Sequence, residues 1–289
     1  MNYQHAFHAG NFADVHKHVV LTRILDYLRQ KPAAFRVIDT HAGAGRYDLL
    51  GAQAARSGEW QNGIGRLFNV AGFGAGKTEP AQALLASYLD LVAALNPGGS
   101  LRFYPGSPLI AKALLRRQDR LIACELEPGA AASLKTVLHK DARVKALAID
   151  GWMALSANIP PKERRGLVVI DPPYEENVEF ARLSDLLAQA HRKWPTGVYL
   201  SWYPIKTRAE PDALARRLRR LAMPKVLRCE LSVAPPRADG ALAGSGLIIV
   251  NPPFPLEREL RVILAVLAKR FAPAAARSQA YRLDWIAGE

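Results

Sequence analysis

Seven short apolar runs, separated by stretches of helical patterning, constrain this chain more than any other feature. They are FRVIDT (35–40), RLIACE (120–125), VKALAID (144–150), GLVVID (166–171), GVYLSWY (197–203), KVLRCELSV (225–233) and GLIIVN (246–251). Runs this continuously apolar, rich in Val, Ile and Leu, belong to strands buried on both faces. Strands that alternate with helical segments imply crossovers and a parallel sheet covered on both sides. The last two runs lie close together, which predicts a hairpin-like end. The expectation is an open α/β sheet of seven strands.

One region breaks the alternation. Residues 48–104 hold no strong strand, yet EPAQALLASYLDLVAAL (79–95) has helical spacing at Leu84, Leu85, Tyr88, Leu91 and Leu95. The stretch NPGG stops that helix. Residues 50–100 therefore read as a helical insertion within one domain spanning 1–289. The crossover resumes at GSPLIAKALLRR, with Ser107 expected as N-cap and Pro108 at the first helical position. The 289 residues are 49% hydrophobic, enough to bury a large core.

Lys and Arg number 39 against 26 Asp and Glu, a net charge of +13 that favours a polyanionic partner. Arg-rich stretches at 114–120, 161–166 and 212–225 read as phosphate contacts. The two cysteines, Cys124 and Cys229, each fall inside an expected strand. That suits reduced thiols and a cytoplasmic setting rather than a disulfide framework. No apolar run approaches the roughly 18 residues of a membrane span, and the first ten residues lack a signal-peptide pattern.

Several motifs carry possible chemistry. VIDTHAGAG (37–45) puts Asp39 at a strand end before a small-residue turn containing Gly43 and Gly45. Such a turn lets backbone approach a nucleotide-like ligand, although a ligand-free βα turn has the same composition. A third glycine is missing, because Asp48 stands there, which argues against a dinucleotide. AGFGAGKT (71–78) imitates a phosphate loop but opens with Ala71 and follows no strand, so it reads as a surface loop. His5, His8, His16, His18 and Asp14 cluster near the start. However, His16 and His18 fall on opposite sides of a helix, no Cys lies nearby, and no metal is expected.

The strongest signal is the strand end at Asp171-Pro172-Pro173-Tyr174. An exocyclic nucleobase amine is a poor nucleophile because its lone pair is delocalised into the ring. The Asp171 carboxylate and the Pro172 carbonyl can accept its two hydrogens and favour a more tetrahedral nitrogen. Two prolines stiffen that turn, and Tyr174 offers a face on which an extruded base can stack. Methylation of cytosine C5 would need a Cys nucleophile, and neither Cys lies in a Pro-Pro motif.

NYQHAFHAGNFADVHKH, DTHAGAGRY, YPGSPLIA and LVVIDPPYEEN resemble the ribosomal RNA large-subunit methyltransferase J family, and the resemblance covers almost the whole chain. It implies S-adenosylmethionine as cofactor and N6 of adenine 2030 in 23S rRNA as target. It also implies a Rossmann-like methyltransferase fold, a seven-stranded and mostly parallel sheet whose last strand is antiparallel. Residue roles follow from the same resemblance. Lys17 and His18 would close over the cofactor, with Asp39, His41, Gly43 and Ser107 beside it. Glu125 would take the ribose hydroxyls, and Asp150 and Gly151 the cofactor's adenine. Asp171 would be the catalytic acceptor and also touch the cofactor, with Pro172 and Tyr174 completing the base pocket. Tyr3 and His5 would face the substrate. The chain is expected to work as a monomer on rRNA, with no membrane partner. Alternative readings are a DNA adenine methyltransferase, a basic RNA-binding module with a vestigial methyltransferase fold, and a protein-glutamine methyltransferase.

A similar motif, Asn251-Pro252-Pro253-Phe254, ends the seventh run. In a sheet of that topology its strand runs antiparallel, so the motif would emerge at the edge away from the cofactor. It is expected to be a structural echo of Asp171–Tyr174.

Overall fold

A computed structural model of the chain describes residues 4–68, 80–175, 178–236 and 240–288. Among these, ten strands form: β1 (Arg36–Asp39), β2 (Arg46–Asp48), β3 (Phe103–Pro105), β4 (Arg120–Cys124), β5 (Val144–Leu147), β6 (Gly166–Ile170), β7 (Val198–Ile205), β8 (Val226–Ser232), β9 (Gly244–Val250) and β10 (Tyr281–Ala287). The helices are α1 (Phe12–Arg29), α2 (Ala52–Ser57), α3 (Ile64–Phe68), α4 (Pro80–Ala94), α5 (Ser107–Leu114), α6 (Pro128–Val137), α7 (Gly151–Asn158), α8 (Glu179–Lys193), α9 (Ala209–Arg220) and α10 (Leu256–Phe271). The phosphate-loop mimic at 71–78 and Tyr3 lie outside the described residues.

Eight strands make the main sheet, in the order β10-β8-β9-β7-β6-β1-β4-β5. All seven apolar runs are in it. Neighbours among β1, β4, β5, β6 and β7 are parallel, whereas β9 is antiparallel to both β7 and β8. The expected count of seven is corrected by β10, which adds antiparallel to β8 and is the last strand in the chain. Its segment YRLDWIA mixes Arg and Asp with apolar residues, as suits an edge strand. A second correction is the antiparallel ribbon of β2 and β3, which stands apart from the main sheet. Its strands have three residues each and bound the region that showed no strand periodicity.

Side chains alternate between the two faces of the sheet. Val37, Leu121, Leu167, Val169, Leu247 and Ile249 face a core closed by α1, α4, α5 and α10. Ile38, Val168, Ile170, Ile248 and Val250 face the core under α7, α8 and α9. Burying such apolar side chains, at roughly 1.5–3 kcal/mol each, is the main drive for this arrangement. Helix α1 starts cleanly because the Asn11 side chain accepts the Ala13 and Asp14 N–H groups, both at 3.0 Å.

Strand direction sorts the loops. The turns before β4, β6 and β8 open on the amino edge of the parallel strands. The Arg-rich stretches 114–120 and 161–166 lie there, whereas 212–225 is mostly α9, which runs along a face of the sheet to that edge. Several of these cations are structural. Arg116 donates to the carbonyls of Arg29, Lys31 and Ala33 and pairs with Asp119, while Arg165 donates to Ala33 and Leu28. Asn251 ends antiparallel β9 at the same edge. Its side chain donates to the carbonyls of Pro195 (2.7 Å) and Gly197 (2.8 Å), and its φ is 52°. No described helix is long and apolar enough to cross a membrane.

Candidate active site

A cavity of about 650 Å³ opens at the carboxyl ends of β1, β4, β5 and β6, where an open α/β sheet binds ligands. His5, Lys17, His18, His41, Gly43, Ser107, Glu125, Asp150, Gly151 and Asp171 all line it. Asp39 sits just beneath, fully buried, with neither carboxylate oxygen hydrogen-bonded. Burial pushes its pKa up to about 7, helped by Asp171 and Glu125 and opposed by Lys17 and by the nearby Ser107 hydroxyl, which is too poorly aimed to count as a hydrogen bond.

The turn after β1 is shaped by close contacts. Gly43 has φ 61°, and its N–H donates to Glu125 at 2.8 Å. The other Glu125 oxygen accepts the Glu127 N–H, also at 2.8 Å, so the carboxylate is held rigidly at the rim. Gly151 is forced, since a Cβ there would lie 2.1 Å from the Thr40 carbonyl. Asp150 caps α7 through the Met153 N–H at 2.9 Å. Burial lowers the His41 pKa to about 4, so its ring is neutral, and it contacts Trp152 edge-on at 5.1 Å. The expected N-cap at Ser107 is corrected: Gly106 is the cap and Ser107 the first helical residue. Gly106 donates to the Gly45 carbonyl at 2.8 Å, and a Cβ on it would lie 3.2 Å from that oxygen. Backbone is pressed too close there for a larger residue.

Helix α1 delivers a charged cluster to the cavity. The Lys17 ammonium lies between Asp14 (3.0 Å) and Asp171. Burial opposes its charge, but the two carboxylates outweigh that and raise its pKa. Asp14 is 3% exposed and also accepts from His5 Nε2 and the Gly10 N–H, both at 3.0 Å. Burial favours its neutral form, yet His5 and Lys17 hold the carboxyl well below the usual range. His18 stands 4.0 Å from Asp14, but burial lowers its pKa to about 3, so it is no ion-pair partner. Its Nδ1 instead shares a hydrogen with the Tyr104 hydroxyl at 2.9 Å. His16 points the other way, to Ser245 and Cys229. No group of three metal-ligating side chains occurs among the described residues.

Past Asp171 the chain makes its rigid turn. Pro172 is buried and Pro173 lines the cavity. Tyr174 has φ 47° and is turned onto β7, where its hydroxyl donates to the Trp202 carbonyl at 2.8 Å. Its ring packs against Phe180 and Trp202 and does not line the cavity. Other lining residues carried no clear signal in the sequence: Tyr47, Glu127, Trp152 and Arg182. Tyr47 and Trp152 have the pattern of ordinary core aromatics. The hub role of Asp14 left only a weak signal, its place among histidines.

The lining suits a cation-bearing nucleoside. The orphaned Asp39 carboxylate and the acidic rim of Glu125, Glu127 and Asp150 match a ligand with a sulfonium, an ammonium and a ribose diol, as S-adenosylmethionine has.

Comparison with known proteins places the chain in a family. The family model described as ribosomal RNA large subunit methyltransferase D, RlmJ, matches residues 32–287. A protein of Escherichia coli (strain K12) named ribosomal RNA large subunit methyltransferase J is 39% identical over 274 residues, 95% of each chain. Its namesake in Haemophilus influenzae is 38% identical over 290 residues and the full length of both. A crystal structure of a Legionella pneumophila protein superposes with a TM-score of 0.83 at 34% identity, covering 96% of this chain and 97% of that one. A match of this extent, on a methyltransferase-like sheet with an Asp-Pro-Pro-Tyr strand end, establishes that the chain belongs to the ribosomal RNA large subunit methyltransferase J family.

Proposed function

We propose that this protein methylates N6 of an adenine in 23S rRNA, with S-adenosylmethionine as donor, acting as one domain over 1–289 with a helical insertion at 50–100. The observation that carries the reading is Asp171, a carboxylate at the end of β6 opening into the cavity that Glu125 borders, with Asp39 buried at the end of neighbouring β1. The bound donor supplies an electrophilic sulfonium methyl.

The chain's own groups do the rest. Asp39, His41, Gly43, Ser107 and Glu125 hold the donor's amino-acid and ribose parts, and Asp150 and Gly151 its adenine. Lys17 and His18 wall the cavity from α1. An extruded adenine presents its amine to Asp171 and to the Pro172 carbonyl, which orient the nitrogen lone pair towards the methyl. Lys17 then leans on Asp14, its second carboxylate, so that Asp171 is freed to accept. The proton shed by the methylated nitrogen leaves through the Asp171 carboxylate. Tyr3 and His5 face the substrate, while Tyr174, packed on Phe180 and Trp202, braces the Pro172–Pro173 turn from behind.

Labelled donor offered to unmodified large-subunit rRNA, with the labelled base mapped, tests the reading. Asp171→Ala is expected to abolish transfer while calorimetry still detects donor binding. Full activity in that variant would sink the assignment, and duplex DNA methylated better than rRNA would move it to a DNA enzyme.

A further inference from the structure

The cavity is acidic. Glu125, Glu127, Asp150 and Asp171 face Lys17 and Arg182. Lys17 is committed to two carboxylates, and Arg182 lies over the Trp152 ring, 5.0 Å from its centroid. Phosphates flanking a base held here must therefore find their cations outside the rim. The Arg-rich stretches 114–120 and 161–166 sit at the opposite edge of the sheet, and that at 212–225 runs along α9 towards the same edge, with Arg217 paired to Asp185.

The ribbon of β2 and β3 offers what the cavity lacks. Its two ends join the cavity directly, because Ala44 and Gly106 line it and Arg46 pairs with Pro105. Its faces differ, as strand alternation requires. Tyr47 and Tyr104 are buried on the inner face, with Tyr47 on the cavity wall and the Tyr104 hydroxyl on His18. Arg46, Asp48 and Phe103 share the outer face, and Arg102 joins them. The Arg46 and Arg102 guanidiniums stand 4.8 and 5.1 Å from the Phe103 ring centroid. Arg102 is 58% exposed and has one acid nearby, Asp48 at 3.2 Å. The Arg46 side chain is exposed and makes no hydrogen bond or close ion pair among the described residues, with Asp48 the acid its charge acts on. Two guanidiniums gathered over one half-buried aromatic ring, against one carboxylate, stabilise nothing buried. At about 3.4 Å per residue this platform begins within roughly 10 Å of the cavity wall.

We propose that Arg46, Phe103 and Arg102 form the docking surface for the ribose–phosphate backbone of the RNA beside the extruded adenine. The proposal rests on the functional reading above. The guanidiniums take phosphate oxygens in bidentate pairs and offer planar faces to an unstacked base. The ribbon's inner tyrosines then tie that surface to the cofactor turn and to His18.

The test compares wild type with Arg46→Ala/Arg102→Ala, using full-length protein and unmodified large-subunit rRNA. Donor affinity and kcat should hold, and the KM for rRNA should rise about tenfold. Removing one guanidinium–phosphate pairing lowers the dependence of log affinity on log salt by about 0.7, so the slope should flatten by about 1.4. Arg46→Lys/Arg102→Lys should recover most of the slope. A matched pair at the amino edge, Arg117→Ala/Lys162→Ala, should leave the KM alone. Active wild type with an unchanged KM and slope in the ribbon variant overturns the docking surface alone. An equal loss from the amino-edge pair overturns it too, by making net charge the cause. Wild type that methylates no rRNA overturns the functional reading and the docking surface with it.

Discussion

Asp39 illustrates how a site stores its own instability. The unfolded chain gives up this proton in the usual carboxylate range, whereas the fold retains it up to about 7. Between those values the folded state binds more protons, so the stability of the donor-free protein falls as pH rises through that window. The penalty is on the order of 4 kcal/mol. Asp39→Asn removes the buried charge, and two opposite effects are expected. The thermal midpoint of the free protein above neutral pH should rise by several degrees, and donor binding should weaken at least tenfold. Scanning calorimetry and titration calorimetry check the pair; a variant with both quantities unchanged would mean that the carboxylate is already satisfied without donor. Asp39 was legible from its place before a glycine turn. Its missing hydrogen-bond partners were not, because they depend on what the other strands bring near it.

Among the elements, β10 was invisible to the strand pattern and yet closes the sheet. Arg228, on neighbouring β8, has a side chain only 3% exposed and pairs with Asp284 of β10 at 2.8 Å. Asp284→Ala leaves that guanidinium short of its closest acid, with Asp212 more distant at 3.7 Å. The loss in chemical denaturation should be about 2 kcal/mol, between an exposed pair and a fully buried one. Methyl transfer should survive, since β10 lies at the far edge from the cavity. An Asp284→Ala protein as stable as wild type would show that Asp212 and Glu230 already suffice. Helix α1 is the contrary case. Its spacing placed His16 and His18 on opposite sides, and the structure sends one to the sheet core and the other to Tyr104. Helical geometry is local, so sequence spacing sufficed there.

The fold as a whole separates two motifs of similar sequence. Asp171 ends a parallel strand and opens into the cavity; Asn251 ends an antiparallel one and ties down the start of β7. Asn251→Ala is therefore expected to cost about 1–3 kcal/mol of stability, from the missing hydrogen bonds and a left-handed backbone position that suits Asn. Its kcat and donor affinity should match wild type in the same methyl-transfer assay. A collapse of kcat in a folded variant would return the Asn251 motif to the active site. The same strand directions carry the Arg-rich stretches away from the cavity, which no count of charges could reveal.

Seven strands, the alternation of sheet and helix and the stiff turn after Asp171 were all written locally, in runs and spacings of a few residues. Local patterns encode them because burial on two faces demands continuous apolar runs and a stiff turn demands prolines. The Lys17 bridge between Asp14 and Asp171, the outward face of the β2–β3 ribbon and the location of the basic stretches required the packed chain. Each depends on which segments, distant along the chain, long-range pairing places side by side. Pairing of that kind is settled by the summed burial of the whole sheet rather than by any one stretch.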